Sequence, residues 1–148
     1  MGKHTLVKST ESFMLMTSLK THTEAILARL AKIETRLTKL RAMPRADATI
    51  WKREGKTGTT YYLVHKQNSP RFITSKVSRR ERIGRGDRCK SECEEQIQRY
   101  TEYQVLSTEQ KKLEGQYDTA IHHIRAAINA TGQDQPDGQL FQRRWRDV

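Results

Sequence analysis

The spacing of apolar residues between positions 9 and 43 predicts one long helix. Apolar residues recur every seven positions, and a second set, apolar except for one threonine, lies between them. The first set is Leu19, Ile26, Ile33 and Leu40, and the second is Met16, Thr23, Leu30 and Leu37. A heptad repeat of this kind buries one seam of a helix against another helix. We therefore predict a helix over residues 9–43 that Pro44 ends, preceded by a flexible segment over residues 1–8.

A second helical pattern becomes regular at about Asp87 and ends at Gly132, a residue type that suits a C-terminal cap. Its inward positions step by threes and fours: Cys93, Ile97, Tyr100, Tyr103, Leu106, Gln110, Leu113, Tyr117, Ala120, Ile124 and Ala127. A weaker helical pattern starts after Ser78, but Gly84 and Gly86 interrupt it. The glycines predict a break before the regular helix begins.

Three short segments between the helices have the composition of strands. They cover residues 49–54, 59–66 and 71–75 and are joined by short polar turns, which predicts a small β-meander over about residues 49–76. Because side chains alternate along a strand, Tyr61, Leu63 and His65 share one face, while Tyr62 and Val64 share the other. One face is expected to pack on the helices and the other to be available.

These elements together predict a mainly α fold, in which two long helices form an antiparallel coiled coil with the small β-meander at its tip. The coiled coil and meander span residues 9–132. A polar linker follows and leads to a basic aromatic tail, the two together covering residues 133–148. The tail residues predicted to bind a partner are Phe141, Arg143, Arg144, Trp145 and Arg146.

The string GKTGTT after Glu54 resembles the end of a phosphate-binding loop. Such a loop requires a glycine five residues before the Gly-Lys pair and a helix that starts at the lysine. Ile50 occupies the first position, and a β-rich run follows Thr59. The sequence therefore predicts a hairpin turn here, with no nucleotide site.

Charge is concentrated in the middle of the chain. The 148 residues carry a net charge of +11, and residues 51–90 alone hold twelve lysines and arginines against three acidic residues. Clustering of this kind predicts a surface that binds a polyanion. The residues predicted to bind nucleic acid are Lys52, Arg53, Lys56, Lys66, Arg71, Lys76, Arg79, Arg80, Arg82, Arg85 and Arg88.

Four aromatic residues, Trp51, Tyr61, Tyr62 and Phe72, are interleaved with these charges. They could stack on bases of a single strand, or they could form the core of the meander itself. Because a sheet of this size has few other apolar residues with which to bury one face, we expect most of the four aromatics to belong to its core.

No arrangement typical of an enzyme or a cofactor site is found. Cys89 and Cys93 lie four residues apart, but the sequence supplies no further ligands at a usual metal spacing, and we expect small buried thiols and no metal or cofactor. Tyr61 or Tyr62 as a nucleophile would require a surrounding histidine and arginine constellation, and His65 alone does not provide one. We expect no enzymatic activity.

A limited set of residues supports a family resemblance. They are Gly58, Tyr61, Tyr62 and Leu63, then Arg71, Ile73 and Val77, then Ile97, Tyr100 and Tyr103. With a long helix before them, they resemble a family of small bacterial and archaeal coiled-coil proteins of unknown function that is associated with mobile elements. The resemblance covers about residues 19–128 and implies the fold, without an established activity. The cysteine-rich approach to the hairpin that many members have is absent here, so the resemblance implies no metal site.

The sequence thus predicts a nucleic-acid-binding accessory protein that contacts the phosphates of DNA or structured RNA within a larger nucleoprotein assembly. Sequence specificity would come from the hairpin ribbon, which is narrow enough to enter a major groove. The alternative is a coiled-coil adaptor that forms a homodimer or recruits a transposase, recombinase or other protein partner. With no long apolar span in the sequence, we expect no membrane attachment and a cytoplasmic location, at the nucleoid if DNA is the ligand.

Overall fold

The described part of the chain is mainly helical and includes a three-stranded antiparallel sheet, as predicted. The computed structural model describes residues 2–74 and 76–132. Helix α1 runs over Gly2–Ala42 and helix α3 over Asp87–Gly132, with the short helix α2 between them over Pro70–Ile73. The start of α1 lies before the predicted residue 9, and its end and both ends of α3 agree with the predicted bounds. The predicted linker and tail lie outside the described residues.

The heptad positions of α1 are the buried positions of that helix. Leu19 is half-buried, and burial then follows the predicted repeat as far as the end of the helix. The buried members are Thr23, Ile26, Ile33, Leu37 and Leu40. Met16, at the start of the pattern, is 36% exposed. The seven-residue repeat therefore correctly identifies the inward side of α1 between residues 19 and 40.

The first two strands form the predicted hairpin. Strand β1 covers Ala48–Gly55 and β2 covers Gly58–His65, and the two are antiparallel with Gly55 opposite Gly58. Only Lys56 and Thr57 lie between them, so the hairpin closes in a two-residue loop. Gly58 has a φ of +125°, a conformation that side chains with a Cβ rarely adopt. The interpretation of GKTG as a turn is confirmed.

The third strand is not where the sequence predicts it. Residues 71–75 were expected to form it, but Pro70 starts α2 after Ser69, and proline suits the first turn of a helix because its missing N–H leaves no bond unmade. Strand β3 instead covers Arg80–Arg85 and pairs antiparallel with β2, giving the order β1-β2-β3. The basic segment that was predicted as an interrupted helical stretch is thus an edge strand.

A β-bulge lies in β3 opposite Tyr61 and Tyr62. Tyr62 pairs with Arg82 and Tyr61 with Gly84, so Ile83 is the additional residue. Gly84 has a φ of +145°, and a Cβ on it would lie 2.7 Å from Cys89 Sγ. Glycine is therefore required both by the backbone conformation and by the close approach of α3.

Residues 33–109 form one compact unit around a small core, and the described residues on either side, 2–32 and 110–132, form another. The core of the first unit consists of Ala46, Ala48, Tyr61, Leu63 and Cys93, with Ile83, Cys89 and Ile97 packed against it. The end of α1 is joined to α3 where Arg36 Nε donates to Glu102 Oε1 at 2.6 Å. One face of the sheet therefore supplies the core, and the described residues of the other face lie outside the core cluster.

Candidate nucleic-acid interface

The two faces of the sheet differ sharply in composition. The face toward α3 carries five buried residues, Ala48, Tyr61, Leu63, His65 and Glu81, together with the exposed Ile50 and Lys52 of β1. The opposite face, which we call the open face, consists of three cross-strand rows. They are Thr49, Val64 and Arg80; then Trp51, Tyr62 and Arg82; then Arg53, Thr60 and Arg85. Tyr61, Leu63 and His65 share one face as predicted, and the structure shows that this face is the packed one, which alternation alone did not specify.

Four arginines lie on the open face, and all four are exposed: Arg53, Arg80, Arg82 and Arg85. Arg80 and Arg82 share this face by simple alternation. Arg85 is three residues after Arg82 and would point to the other side of a regular strand, but the bulge at Ile83 returns it to the open face. No carboxylate of residues 2–74 or 76–132 pairs with these four guanidinium groups.

The centre of the open face is aromatic. Trp51 and Tyr62 are directly opposite each other on neighbouring strands, with ring centroids 4.9 Å apart and planes tilted by 54°. The guanidinium carbon of Arg80 lies 4.3 Å from the centroid of the Trp51 ring, which is a cation–π contact. Trp51 is 37% exposed. The expectation that most of the four aromatics are core is wrong, because Tyr61 belongs to the core cluster whereas Trp51, Tyr62 and Phe72 lie outside it.

The other predicted basic residues lie in the loops and at the ends of elements beside the sheet, except Lys52, which is opposite Tyr61 and therefore on the packed face. Lys56 is in the hairpin loop, Lys76 and Arg79 are in the connection before β3, and Arg88 is in the first turn of α3; all four are exposed. Lys52 and Lys66 are also exposed, but each lies near a carboxylate: Lys52 Nζ is 3.8 Å from Glu54 Oε1, and Lys66 Nζ is 4.0 Å from Asp47 Oδ1. These two lysines are therefore less available to a phosphate than the other exposed basic residues.

Arg71 differs from the other predicted contact residues because it is half-buried and already paired. Its Nη2 lies 2.7 Å from Glu81 Oε2 on the packed side of the sheet. Glu81 is 9% exposed, so the guanidinium neutralises a carboxylate that would otherwise be buried without a partner. We therefore leave Arg71 out of the candidate interface.

The same carboxylate belongs to a buried serine, histidine and glutamate cluster that resembles the arrangement of a hydrolase. Ser69 Oγ lies 2.6 Å from His65 Nδ1, and His65 Nε2 lies 3.5 Å from Glu81 Oε1. Ser69 and His65 are 0% and 1% exposed, and Ser69 Oγ also accepts the backbone N–H of Asp47 at 3.2 Å. The cluster thus connects β2, β3 and α2 inside the unit, where no substrate can reach the hydroxyl.

The two cysteines pack inside the unit. Burial raises the pKa of the Cys93 thiol to about 11, with a smaller contribution from the neighbouring Cys89. A thiol with so high a pKa is protonated at neutral pH and is a poor nucleophile and metal ligand. Among the residues that the structure describes, no three His, Cys, Asp or Glu side chains are grouped so that they could hold a metal ion.

The unit formed by residues 2–32 and 110–132 contains a groove with a volume of about 560 Å³ and a mainly apolar lining. Its lining residues are Leu19, His22, Lys112, Gly115, Gln116, Thr119, Ala120 and His123. It holds neither a charged cluster nor a reactive pair. No helix in the described part of the chain combines the length and the apolar character needed to cross a bilayer.

The sequence identified the basic residues but not their arrangement. Four of them share one face of the sheet because β3 pairs with β2. The isolated Gly84 next to Ile83 is typical of a β-bulge and could have indicated this strand in the sequence. The predicted tail residues Phe141, Arg143, Arg144, Trp145 and Arg146 lie outside the described residues.

Comparison of the chain with protein families, curated proteins and solved structures found no match. The resemblance to the coiled-coil family associated with mobile elements therefore stays a prediction.

Proposed function

We propose that this protein binds nucleic acid through the phosphates, using the open face of the sheet. The observation that carries the proposal is the presence of four exposed arginines on one face, none with a carboxylate partner among the described residues. Guanidinium groups bind phosphate through two parallel hydrogen bonds, and each phosphate that is neutralised releases condensed counterions. The surrounding cations Lys56, Lys76, Arg79 and Arg88 extend the positive surface.

The uncompensated charge distinguishes this face from an ordinary solvated surface. Elsewhere in the same unit arginines are paired: Arg36 with Glu102, Arg41 with Glu34, and Arg99 with Glu92 and Glu95. These three helical arginines have carboxylate partners, whereas the four arginines on the sheet lie together without one among the described residues, and such a cluster suits an external anion. The four arginines lie in three successive rows about 7 Å apart, a spacing that suits a repeating ligand such as a phosphate backbone.

Salt dependence of binding tests this proposal. We expect the logarithm of the association constant for a labelled oligonucleotide to fall with the logarithm of salt concentration, with a slope of about −3 to −4 if four phosphates are contacted. Fluorescence anisotropy at a series of salt concentrations measures the slope. A flat salt dependence, or no binding of single-stranded or duplex probes at about 50 mM salt, would contradict the proposal.

We further propose that α1 and α3 pair as the predicted antiparallel coiled coil. The buried heptad positions of α1 support this arrangement, as do two contacts at the end of the helix. Arg36 pairs with Glu102, and the Arg45 guanidinium carbon lies 4.2 Å from the centroid of the Tyr103 ring. In this arrangement the helices support the sheet and present its open face.

A second function, that of an oligomeric adaptor that recruits a transposase, a recombinase or another protein, is favoured by apolar surface on α1. Met14, Leu15 and Leu27 are 63%, 66% and 46% exposed. Three large apolar side chains exposed on one helix suit a protein contact. The two functions are compatible, because these residues and the open face belong to different units.

If α1 mediates self-association, the double substitution Leu15→Lys and Leu27→Glu should abolish it, because charged groups would have to be buried in the contact. Analytical ultracentrifugation over a range of protein concentrations measures the mass, and circular dichroism checks that helicity is retained. Ser18→Glu, an exposed polar position on the same helix, is the matched control. A monomeric mass for the unaltered protein at micromolar concentration would rule out self-association.

A further inference from the structure

We infer that the preferred ligand of the open face is single-stranded nucleic acid, with an unpaired base stacked on Trp51 in the place that Arg80 now occupies. This inference rests on the proposed function and narrows it. It follows from the position of the aromatic pair, from the stacking of Arg80 on it and from the arginine rows on either side.

The aromatic pair is on the wrong face to serve as core. The core of the unit is built on the other face, from Ala48, Tyr61, Leu63 and their neighbours on α3. Trp51 nevertheless stands in the middle row of the open face with 37% of its surface exposed, beside Tyr62 at 4.9 Å. Aromatic rings in the middle of an open antiparallel sheet present a surface on which bases stack.

Arg80 occupies the position over the Trp51 ring that a stacked base would take. Its guanidinium is a flat, charged group that lies 4.3 Å from the centre of the Trp51 ring. An exposed cation–π contact of this kind is weaker than the stacking of a base on an aromatic ring. A base can therefore displace the guanidinium, and Arg80, once released, is free to bind a phosphate of the same strand.

The arginine rows are placed for the backbone of such a strand. The row of Arg80 lies on one side of the aromatic row and the row of Arg53 and Arg85 lies on the other, each about 7 Å away along the strands. A base on Trp51 would thus have cations on both sides for its flanking phosphates. In a duplex the bases are stacked on one another and offer no free ring face, so only the arginines would be used.

The test is made on the full chain with the substitution Trp145→Phe, which leaves Trp51 as the single tryptophan. We expect an oligothymidylate of about 12 nucleotides to quench the Trp51 fluorescence and to bind more tightly than a duplex with the same number of phosphates. In the unaltered background, Trp51→Leu should weaken binding of the oligothymidylate by about tenfold or more and leave duplex binding unchanged. An oligouridylate of the same length compares RNA with DNA.

Two further variants keep the result interpretable. Trp51→Phe retains a ring and should recover most of the lost affinity, and Phe72→Leu removes an aromatic that is not on the open face and should have no effect on affinity. Equal affinity for single strand and duplex, together with no quenching and no effect of Trp51→Leu, would overturn the inference and leave the phosphate-binding proposal standing. Failure of every probe to bind at low salt would overturn both.

Discussion

Replacement of Arg53, Arg80, Arg82 and Arg85 by glutamine is expected to weaken nucleic-acid binding by about a thousandfold at about 0.1 M salt. Each arginine that neutralises a phosphate contributes about 0.7 to 0.9 to the salt slope, so four of them account for roughly three powers of ten at this concentration. The side chains are exposed and pair with no carboxylate of the described residues, so their removal leaves the fold unchanged. Anisotropy with a labelled oligonucleotide measures the loss, and far-ultraviolet circular dichroism confirms the fold.

The matched control changes four basic residues of the other unit and therefore has the same net charge. Lys20, Lys32, Lys111 and Lys112 are exposed and lie on α1 and α3. If the open face is the binding site, their replacement by glutamine should weaken binding by less than about tenfold, through the long-range field alone. Equal loss in the two variants would mean that affinity depends on total charge and not on this face.

Glu81→Ala is expected to destabilise the unit of residues 33–109 by about 3 kcal/mol. Glu81 is the carboxylate around which His65 and Arg71 are arranged, and its removal leaves a half-buried guanidinium without its partner 2.7 Å away. Removal of one member of a buried ion pair lowers the free energy of unfolding by about 3–5 kcal/mol. Because Arg71 is partly exposed, we expect a loss at the lower end of this range. Thermal unfolding followed by Trp51 fluorescence, with Trp145 replaced by phenylalanine, should show a midpoint lower by roughly 12–24 °C.

Two comparisons separate the buried pair from ordinary charge loss. Glu95→Ala also removes a carboxylate that pairs with an arginine, but Glu95 is 56% exposed, and its loss should cost under about 1 kcal/mol. The double substitution Arg71→Met with Glu81→Leu removes both charges and should be close to neutral, because no unpaired group is left behind. If Glu81→Ala and Glu95→Ala lower the midpoint equally, the buried cluster does not stabilise the unit.

The helices and the hairpin were predictable because their signals are local. A heptad repeat marks the inward side of α1 whatever its partner, Asp87 and Gly132 mark the ends of α3, and Gly58 permits the backbone of a two-residue hairpin. The turn at Lys56 could be separated from a phosphate-binding loop for the same reason, since the preceding and following residues exclude the required geometry.

The third strand could not be predicted from its own residues. Arg80–Arg85 contains a single large apolar residue, Ile83, so it lacks the alternation by which a half-buried strand is recognised. Its conformation comes from the exposed edge of β2, which offers backbone hydrogen bonds to whichever segment can lie beside it. The segment predicted for that place instead starts with Pro70, which has no N–H to donate and favours the first turn of a helix.

Local sequence patterns were enough to predict the helical character of the chain, the hairpin and the concentration of positive charge in residues 51–90. They left open which side of the sheet would be core, because β2 is apolar on both faces and alternation assigns residues to a face without assigning the face to the interior. The burial of Tyr61 and Leu63, the exposure of Trp51 and the grouping of four arginines from two strands emerge in the folded protein alone. Strand pairing and burial join residues far apart in the chain, and no local pattern records which partners they find.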